Sequence, residues 1–376
     1  MQFSTKMWYI IIGDIMIQNA MKCKFSSKDL FAAKRNEDGM LELDEMIGDF
    51  PTYSREKVGT AERQKNWFET KDGKQYMLKT SVDRIDNYSH YAELIAMKLA
   101  RQVGLGYANY DLVKYDGKVG VITESILEKE DDVLLSFEDL IGTSMAHPDN
   151  PSIIDYPDSM RMLAKSLKEN GYSEQTQKKI IKDLGKLRVF DFLIGAEDRH
   201  TENIGFMANK KDKTKLEVSK IFDTENSLLL ADHVEDVMAY AFDPKRCEQA
   251  AKDVIPKVAL VPNEDAQGEE IADATLEVTL SDDFELEDFL SYATETMDVD
   301  KATKELEEEL GTTLPIEVKR VAKAVLETNK RRAKDYLYGE MEVDYDSDYI
   351  DKNKQIINDV REKQKKDREK KERCKT

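Results

Sequence analysis

Apolar and polar residues alternate in short stretches of the chain, and the most informative of these lie near its middle. Residues 203–208 form a short apolar run and residues 216–222 alternate, which predicts two strands joined by the polar turn 209–215. In an antiparallel pair the start of the first strand lies beside the end of the second. The pattern therefore predicts that Asn203 and Asp223 are neighbours at one end of a hairpin.

Two more hairpins are predicted upstream of this one. Turn-forming residues separate strand-like segments in two places, 66–70 from 75–81 and 110–115 from 118–125. Lys79 lies in the predicted strand 75–81, where a period of two puts it on one face with Gln75 and Met77. The region 53–127 therefore predicts a small, mostly antiparallel sheet with one helix inserted.

The inserted helix is predicted to begin at a Ser89 cap and to end near Val103. Glu93 lies on the flank of its apolar stripe, within reach of a neighbour in the sheet. Downstream the pattern is mainly helical, and its clearest helix, 176–194, leads into a tight loop that contains Asp198. We therefore predict an α+β fold in which a small sheet lobe precedes a larger, mainly helical lobe.

These patterns divide the chain into four segments: an N-terminal extension without assigned function (1–52), the sheet lobe (53–127), the helical lobe (128–339), and an acidic linker with a charged tail (340–376). Residues 284–292 and 314–338 are predicted helices of the larger lobe. The segment 261–283, rich in aspartate and glutamate, is predicted to be an insertion or exposed loop. The apolar run 7–17 is interrupted by an aspartate and is too short to span a bilayer. It is predicted to be an edge strand, a packing segment or an extension upstream of Met21.

Composition limits the partners and the compartment. The chain has 376 residues and a formal net charge of −19, which argues against nucleic acid as the main ligand because phosphate-binding surfaces are usually basic. The three cysteines, Cys23, Cys247 and Cys374, have no paired spacing, which predicts a reduced, cytoplasmic protein without disulfides or a zinc site. The sequence contains no stretch of transmembrane length, so we expect no membrane partner.

Three oxygen-bearing side chains form the candidate chemistry. Asp198 precedes Asn203 by five positions, and the hairpin brings Asp223 to the same place. Carboxylate and carboxamide oxygens are hard ligands, which favour magnesium over zinc. A sheet lobe with a strand lysine and a helix glutamate, followed by a helical lobe with this aspartate–asparagine–aspartate set, has the order of parts of a bilobal protein kinase.

Several motifs carry a resemblance to the HipA-like serine/threonine protein kinases. The block LIGAEDRHTENIGF and the later IFD are similar to that family's catalytic and metal-binding loops. GTAERQKNWF, YMLK and YAELIAMKLARQVGL are similar to its phosphate loop, lysine strand and following helix. The resemblance extends from about residue 58 to residue 223, and the DRHTEN block is its specific part.

The resemblance implies an ATP- and magnesium-dependent kinase that phosphorylates serine or threonine on an unidentified protein, with autophosphorylation left open. Asp198 would accept or orient the proton of the substrate hydroxyl, and Asn203 and Asp223 would bind Mg²⁺ between the phosphates. Lys79 would contact the phosphates, steadied by Glu93. The remaining nucleotide-binding residues implied are Gly59, Thr60 and Lys65 at the phosphates, Glu124 and Ile126 at the adenine, and His200 in the catalytic loop.

Other interpretations stay open at this point. Lys79 alone is consistent with a solvated edge lysine, Asp223 with a strand-end cap, and His200 with a hydrogen bond that shapes its loop. Arg199 either forms a structural salt bridge or pairs with a phosphorylated or acidic group. Asp223 is followed by Thr224 and Glu225, where eukaryotic kinases have phenylalanine and glycine. A lipid or small-molecule kinase of the same fold, and a nucleotide-binding scaffold without turnover, are the rival functions.

Overall fold

The computed structural model describes residues 21–47, 63–81, 87–127, 129, 131–142, 153–212, 214–263, 265–281, 284–341 and 343. Predictions for the apolar run 7–17, for Gly59 and Thr60, and for the tail beyond residue 343 lie outside these residues. No helix in the described part of the chain is long and apolar enough to cross a membrane.

The strands of the described residues form three sheets. In chain order they are β1 (Met21–Lys22), β2 (Leu41–Glu42), β3 (Arg63–Glu69), β4 (Gln75–Ser81), β5 (Tyr110–Tyr115), β6 (Lys118–Glu124), β7 (Asp132–Ser136), β8 (Ile154–Asp155), β9 (Gly205–Asn209), β10 (Leu216–Val218) and β11 (Val258–Ala259). The largest sheet has six strands in the order β1-β3-β4-β6-β5-β2, the second has the order β10-β9-β7, and the third pairs β11 with β8.

Helices dominate the second half of the chain. In chain order the helices are α1 (Ser27–Ala32), α2 (Asp44–Ile47), α3 (Ser89–Gln102), α4 (Phe137–Ile141), α5 (Tyr156–Glu169), α6 (Glu174–Ile194), α7 (Val234–Phe242), α8 (Pro244–Lys252), α9 (Gly268–Leu280), α10 (Phe284–Thr296), α11 (Val299–Leu310) and α12 (Ile316–Leu337). The result is the predicted α+β arrangement, a small sheet lobe followed by a larger helical lobe.

The centre of the six-stranded sheet is antiparallel, as the alternating pattern predicted. Strand β4 pairs with β3 and β6, and Lys79 lies opposite Lys65 on one side and Val121 on the other. Gly120 on β6 is required by the close approach of these strands, because a Cβ there would lie 2.1 Å from the carbonyl oxygen of Lys79. At the β5–β6 turn, Asp116 and Gly117 both have positive φ, as a two-residue hairpin turn of this sequence demands.

Residues 21–47 extend both edges of this sheet. Strand β1 pairs in parallel with β3, and β2 pairs in parallel with β5. Leu30, Leu41 and Leu43 are fully or almost fully buried, and they pack in a small core with Phe68 and other sheet residues. Burying such side chains stabilises the sheet by roughly 1.5–3 kcal/mol each.

The larger core joins the two lobes through α3. The buried side of this helix, including Leu94, Ile95 and Leu99, belongs to the same apolar cluster as α6 and α12. The predicted Ser89 cap is one residue out of place: the N-cap is Tyr88, and the Ser89 hydroxyl donates instead to Asn87. This core fixes the position of α3, and with it Glu93, relative to the helical lobe.

The predicted exposed loop at 261–283 is wrong for most of its length. Helix α9 occupies Gly268–Leu280 and buries Ile271 and Leu276. On the same helix, Asp273 pairs with the buried Arg332 of α12 at 2.6 Å. The acidic composition suggested exposure, but the apolar residues repeat with helical spacing and one acid has a buried partner.

The hairpin of β9 and β10 has the predicted topology but a shorter second strand. Leu216 pairs with Ala208 and Val218 with Phe206, and the ladder then ends. Ile221, predicted to continue this strand, pairs instead in an isolated parallel bridge with Tyr107. The chain before Asp223 is therefore bound to the segment between α3 and β5 in the small lobe.

Candidate active site

A buried lysine with three carboxylate partners lies where β4, α3 and the segment after β10 meet. The Nζ atom of Lys79 lies 2.6 Å from Oδ1 of Asp223, 2.8 Å from Oε1 of Glu93 and 3.0 Å from Oε2 of Glu225. Lys79 and Glu93 are fully buried, whereas the side chains of Asp223 and Glu225 are 14% and 17% exposed. We call these four residues the lysine cluster.

The cluster keeps its lysine charged. Burial alone would lower the pKa of Lys79, but the negative charges of Asp223, Glu225 and Glu93 together raise it well above its ordinary value. The solvated edge lysine considered from the sequence is therefore wrong, because Lys79 is a buried cation among acids.

Glu93 also binds the loop that follows Asp223. Its Oε2 accepts hydrogen bonds from the backbone N–H of Thr224 and from the Thr224 hydroxyl, each at 3.2 Å. The hydroxyl of Tyr107 donates to the same oxygen at 3.4 Å. Glu93 therefore connects the lysine strand with the segment that contains Asp223.

Arg199 organises the loop after α6. This side chain is 1% exposed, and its Nε donates to the Asp191 carboxylate on α6 at 3.1 Å. Its Nη1 donates to the backbone carbonyls of Asn203, at 2.9 Å, and of Phe222, at 2.7 Å. Because one guanidinium nitrogen binds both carbonyls, Asn203 lies beside the segment that enters Asp223. The predicted neighbourhood of these two residues is confirmed, and Arg199 forms a structural salt bridge.

The side chains of Asp198 and Asn203 are oriented by hydrogen bonds within the same region. The side-chain nitrogen of Asn203 donates to the backbone carbonyl of Asp198 at 3.0 Å, a hydrogen bond that does not use the carboxamide oxygen. Asn226 donates from its amide to Oδ2 of Asp198 at 3.3 Å. Asp198 is half-buried, and this hydrogen bond orients its carboxylate.

Asp223 has an unusual backbone conformation. Its φ is +57°, in the left-handed region that few residues other than glycine adopt, although aspartate enters it more readily than most. The backbone N–H of Asp223 donates to the hydroxyl of Tyr110 on β5 at 3.3 Å. Burial, reinforced by the charge of Glu93, raises the pKa of the Tyr110 hydroxyl well above its ordinary value. Tyr110 therefore stays neutral and keeps Asp223 against the small lobe.

The structure also describes the surroundings of three further predicted residues, Lys65, Glu124 and His200. Lys65 on β3 lies opposite Lys79 in the ladder. At the end of β6, Glu124 forms an exposed ion pair with Lys74 at 2.9 Å. The Nδ1 atom of His200 accepts the N–H of Glu202 at 3.2 Å, a hydrogen bond within the loop that follows α6.

Two of the cavities lined by described residues lie near predicted site residues but apart from the lysine cluster. One of about 730 Å³ lies beside β10 and α6, and a second of about 410 Å³ lies at the end of β6. Ile126 lines both cavities. Among the described residues, neither cavity is lined by Lys79, Asp198, Asn203 or Asp223. The adenine-binding role predicted for Glu124 and Ile126 therefore stays a prediction.

Sequence reasoning missed several residues of the site. Glu225, Tyr107 and Tyr110 gave no signal because an isolated acid or tyrosine is common, and only the fold brings them to Lys79 and Asp223. Asp191 had a weak signal, since a polar residue stands among the apolar ones at the end of α6. The described residues thus contain a buried lysine–glutamate pair with an aspartate beside it, and a loop with a further aspartate and asparagine that Arg199 links to the same segment, which are the parts of a kinase-like fold.

Comparison with known proteins supports this class. Residues 54–282 match the family model of the HipA-like C-terminal domain, which covers more than half of the chain. The chain belongs to the HipA-like C-terminal domain family. No curated protein matches the sequence.

Two solved structures are similar in fold. The proinflammatory kinase CtkA of Helicobacter pylori superposes with a TM-score of 0.59 at 15% identity, over 79% of this chain and 98% of that one. HipA of Shewanella oneidensis, solved with HipB and operator DNA, gives a TM-score of 0.45 at 14% identity, over 75% and 67% of the two chains. The fold assignment rests on the first of these, and family and fold together support a kinase-type function.

Proposed function

We propose that this protein is an ATP- and magnesium-dependent kinase that phosphorylates a serine or threonine hydroxyl of a protein. The observation that carries the proposal is the convergence of Lys79, Glu93 and Asp223 within hydrogen-bonding distance, with the Asn203 loop tied to the same segment by Arg199. A phosphoryl-transfer site needs a cation for the phosphates, oxygen ligands for a metal and an acceptor for the hydroxyl proton. Lys79 supplies the cation, Asp223 and Asn203 supply the oxygen ligands, and Asp198 supplies the proton acceptor.

The side chains present fit a magnesium ion. Asp223 offers a carboxylate, and Asn203 offers the carboxamide oxygen that its hydrogen bond to Asp198 leaves available. Both are hard oxygen donors of the kind Mg²⁺ prefers. These two residues would hold the ion, whose charge would neutralise that of the phosphates.

Each remaining residue has a defined task in the proposed reaction. Lys79 would bind phosphate oxygens of ATP, and Glu93 keeps the ammonium in position. Asp198 accepts the proton of the substrate hydroxyl. The hydroxyl oxygen forms a bond to the γ-phosphorus while the bond from that phosphorus to the bridging oxygen of ADP breaks. Most of the expected acceleration comes from positioning and charge, because the chemistry needs little covalent help.

The protein acceptor is the part of the proposal that rests on the family resemblance. Purified protein should be incubated with labelled ATP, magnesium and separate protein, lipid and sugar acceptors. Label on serine or threonine of a protein supports the proposal, and label only on a lipid or sugar would replace the acceptor class. A protein that binds ATP and magnesium, but transfers no label to any acceptor or to itself, would be a scaffold.

We place the protein in the cytoplasm and expect no direct nucleic-acid partner. Cys23 and Cys247 are free thiols, which supports a reducing compartment. The net charge of −19 argues against direct binding to a phosphate backbone. Phosphorylation of the protein by itself is included as an outcome that the labelling experiment detects.

A further inference from the structure

The residue after Asp223 distinguishes this chain from eukaryotic kinases, which have phenylalanine there. Here the position is Thr224, a small polar residue that is 2% exposed. A buried threonine needs partners for its hydroxyl. Both its N–H and its hydroxyl donate to Glu93, as described above.

The two oxygens of Glu93 have separate partners. Oε1 lies 2.8 Å from the ammonium of Lys79, whereas Oε2 accepts from Thr224 and from Tyr107. The hydroxyls of Tyr107 and Thr224 are also in direct contact with each other. Because each hydroxyl has one proton, two of the three contacts among these hydroxyls and Oε2 are hydrogen bonds at any one time, and Oε2 always accepts from at least one hydroxyl. One carboxylate therefore connects the phosphate-binding lysine of β4, the metal-binding segment and the chain between α3 and β5.

Burial makes these hydrogen bonds consequential. Glu93 is fully buried, so a lone pair that loses its donor is not compensated by water. Burial and the charge of Glu93 raise the pKa of Tyr107 well above its ordinary value, so the phenol keeps its proton and remains a donor. Hydrogen bonds to a charged group are about twice as strong as neutral ones.

We propose that Thr224 and Tyr107 are positioning residues that act through Glu93, holding Lys79 and the Asp223 segment at a fixed separation. A hydrogen-bonded link thereby stands in the place where eukaryotic kinases have an apolar side chain. The inference deepens the proposed function and rests on it. Neither residue touches the reacting atoms, so their effect should be on kcat more than on nucleotide affinity.

The test compares Thr224→Val, which has the same shape without the hydroxyl, with Thr224→Ser, which keeps it. We expect Thr224→Val to lower kcat by about 10- to 100-fold, with the KM for ATP changed by less than about threefold. Thr224→Ser should recover most of the rate. Tyr107→Phe should lower kcat in the same direction by a smaller factor, because its hydrogen bond to Glu93 is longer.

A control separates positioning from stability. The buried Thr303 of α11 donates to the Val299 carbonyl at 2.8 Å, far along the chain from the site, so Thr303→Val makes the same chemical change elsewhere. We expect it to lower the unfolding temperature without lowering kcat. A readout independent of turnover is hydrogen exchange of the Thr224 amide, which should be faster in Thr224→Val and near wild type in Thr224→Ser.

The possible failures are distinguishable. If the wild-type protein transfers no phosphoryl group, the proposed function is refuted and the inference falls with it. If the wild type is active and Thr224→Val keeps its kcat, only the inference is refuted. The same holds if Thr224→Ser fails to restore the rate lost in Thr224→Val, because the hydroxyl would then not be the group that matters.

Discussion

Replacing Lys79 with methionine removes the cation of the lysine cluster while keeping most of the buried side-chain volume. Glu93 is fully buried and would lose its counter-ion. Removing one partner of a buried ion pair costs about 3–5 kcal/mol. The contacts to Asp223 and Glu225 add less, because these side chains are partly exposed. We therefore expect the free energy of unfolding to fall by about 3–5 kcal/mol in Lys79→Met.

Urea denaturation followed by circular dichroism measures this loss. The matched control is Lys323→Met, since Lys323 is 52% exposed and forms a surface pair with Asp300. Its free energy of unfolding should change by less than about 1 kcal/mol. The double variant Lys79→Met/Glu93→Gln should be more stable than Lys79→Met alone, because the uncompensated charge is removed. A Lys79→Met protein as stable as the control, or purely additive effects in the double variant, would refute the reasoning.

The pH dependence of this loss has a defined sign. The folded-state pKa of Lys79 lies above its unfolded value, so its contribution to stability is fully present below the unfolded pKa of about 10.4. The contribution is lost only as the pH rises through the raised pKa. Measured in the Glu93→Gln background, where no unpaired Glu93 carboxylate can titrate, the loss of unfolding free energy caused by Lys79→Met should therefore be constant from about pH 6 to 9. A difference that shrinks within this range would contradict a charged, carboxylate-bound lysine.

The remaining predictions concern the reaction and the sheet. Asp198→Ala should lower kcat by about 10²- to 10⁴-fold, the usual contribution of a group that accepts a proton, whereas the exposed Asp300→Ala should not change it. Glu225→Gln should lower the dissociation constant for ATP with magnesium by a few-fold in calorimetry, because one negative charge that competes with phosphate for the cluster lysine is removed. Gly120→Ala should destabilise the protein by about 2 kcal/mol or more in thermal denaturation, because its Cβ would overlap the β4 backbone. Gly106→Ala, where the nearest atom lies 3.7 Å from an added Cβ, is its matched control.

Each of these three predictions has an experimental result that would contradict it. Equal rates for Asp198→Ala and Asp300→Ala would remove the proton-accepting role. Weaker nucleotide binding by Glu225→Gln, together with a higher magnesium requirement, would make Glu225 a metal ligand instead. Equal unfolding temperatures for the two alanine variants would mean that β6 can move away from β4 without loss.

The parts of the fold that the sequence predicted are those whose signal is local. Strand β4 and the hairpin of β5 and β6 are rich in apolar, aromatic and β-branched residues and are bounded by turn residues, so their limits agree with the structure almost to the residue. Helix α6 has a long apolar face and ends at Gly195 with a positive φ. These sequence patterns predict the limits of a strand or helix from neighbouring residues alone, without information about distant contacts.

The parts that were missed depend on distant contacts. Strands β1 and β2 are two residues long and exist because they pair with β3 and β5. Composition was misleading for α9, whose Asp273 is satisfied by Arg332 from a helix far along the chain. In the site, the pairing of Lys79 with Glu225 and of Glu93 with Thr224 joins residues separated by more than 130 positions. A pattern along the sequence does not encode such pairs.

The most direct test of the proposed phosphoryl transfer is mass spectrometry of the protein and a serine- and threonine-containing acceptor after incubation with ATP and magnesium, beside the Asp223→Ala variant. Asp223→Ala removes the proposed metal ligand, and circular dichroism establishes whether the variant is folded. We expect phosphate on serine or threonine in the wild-type reaction and none, or a trace, with folded Asp223→Ala. Equal phosphorylation by both proteins, or none by the wild type, would contradict the proposed kinase.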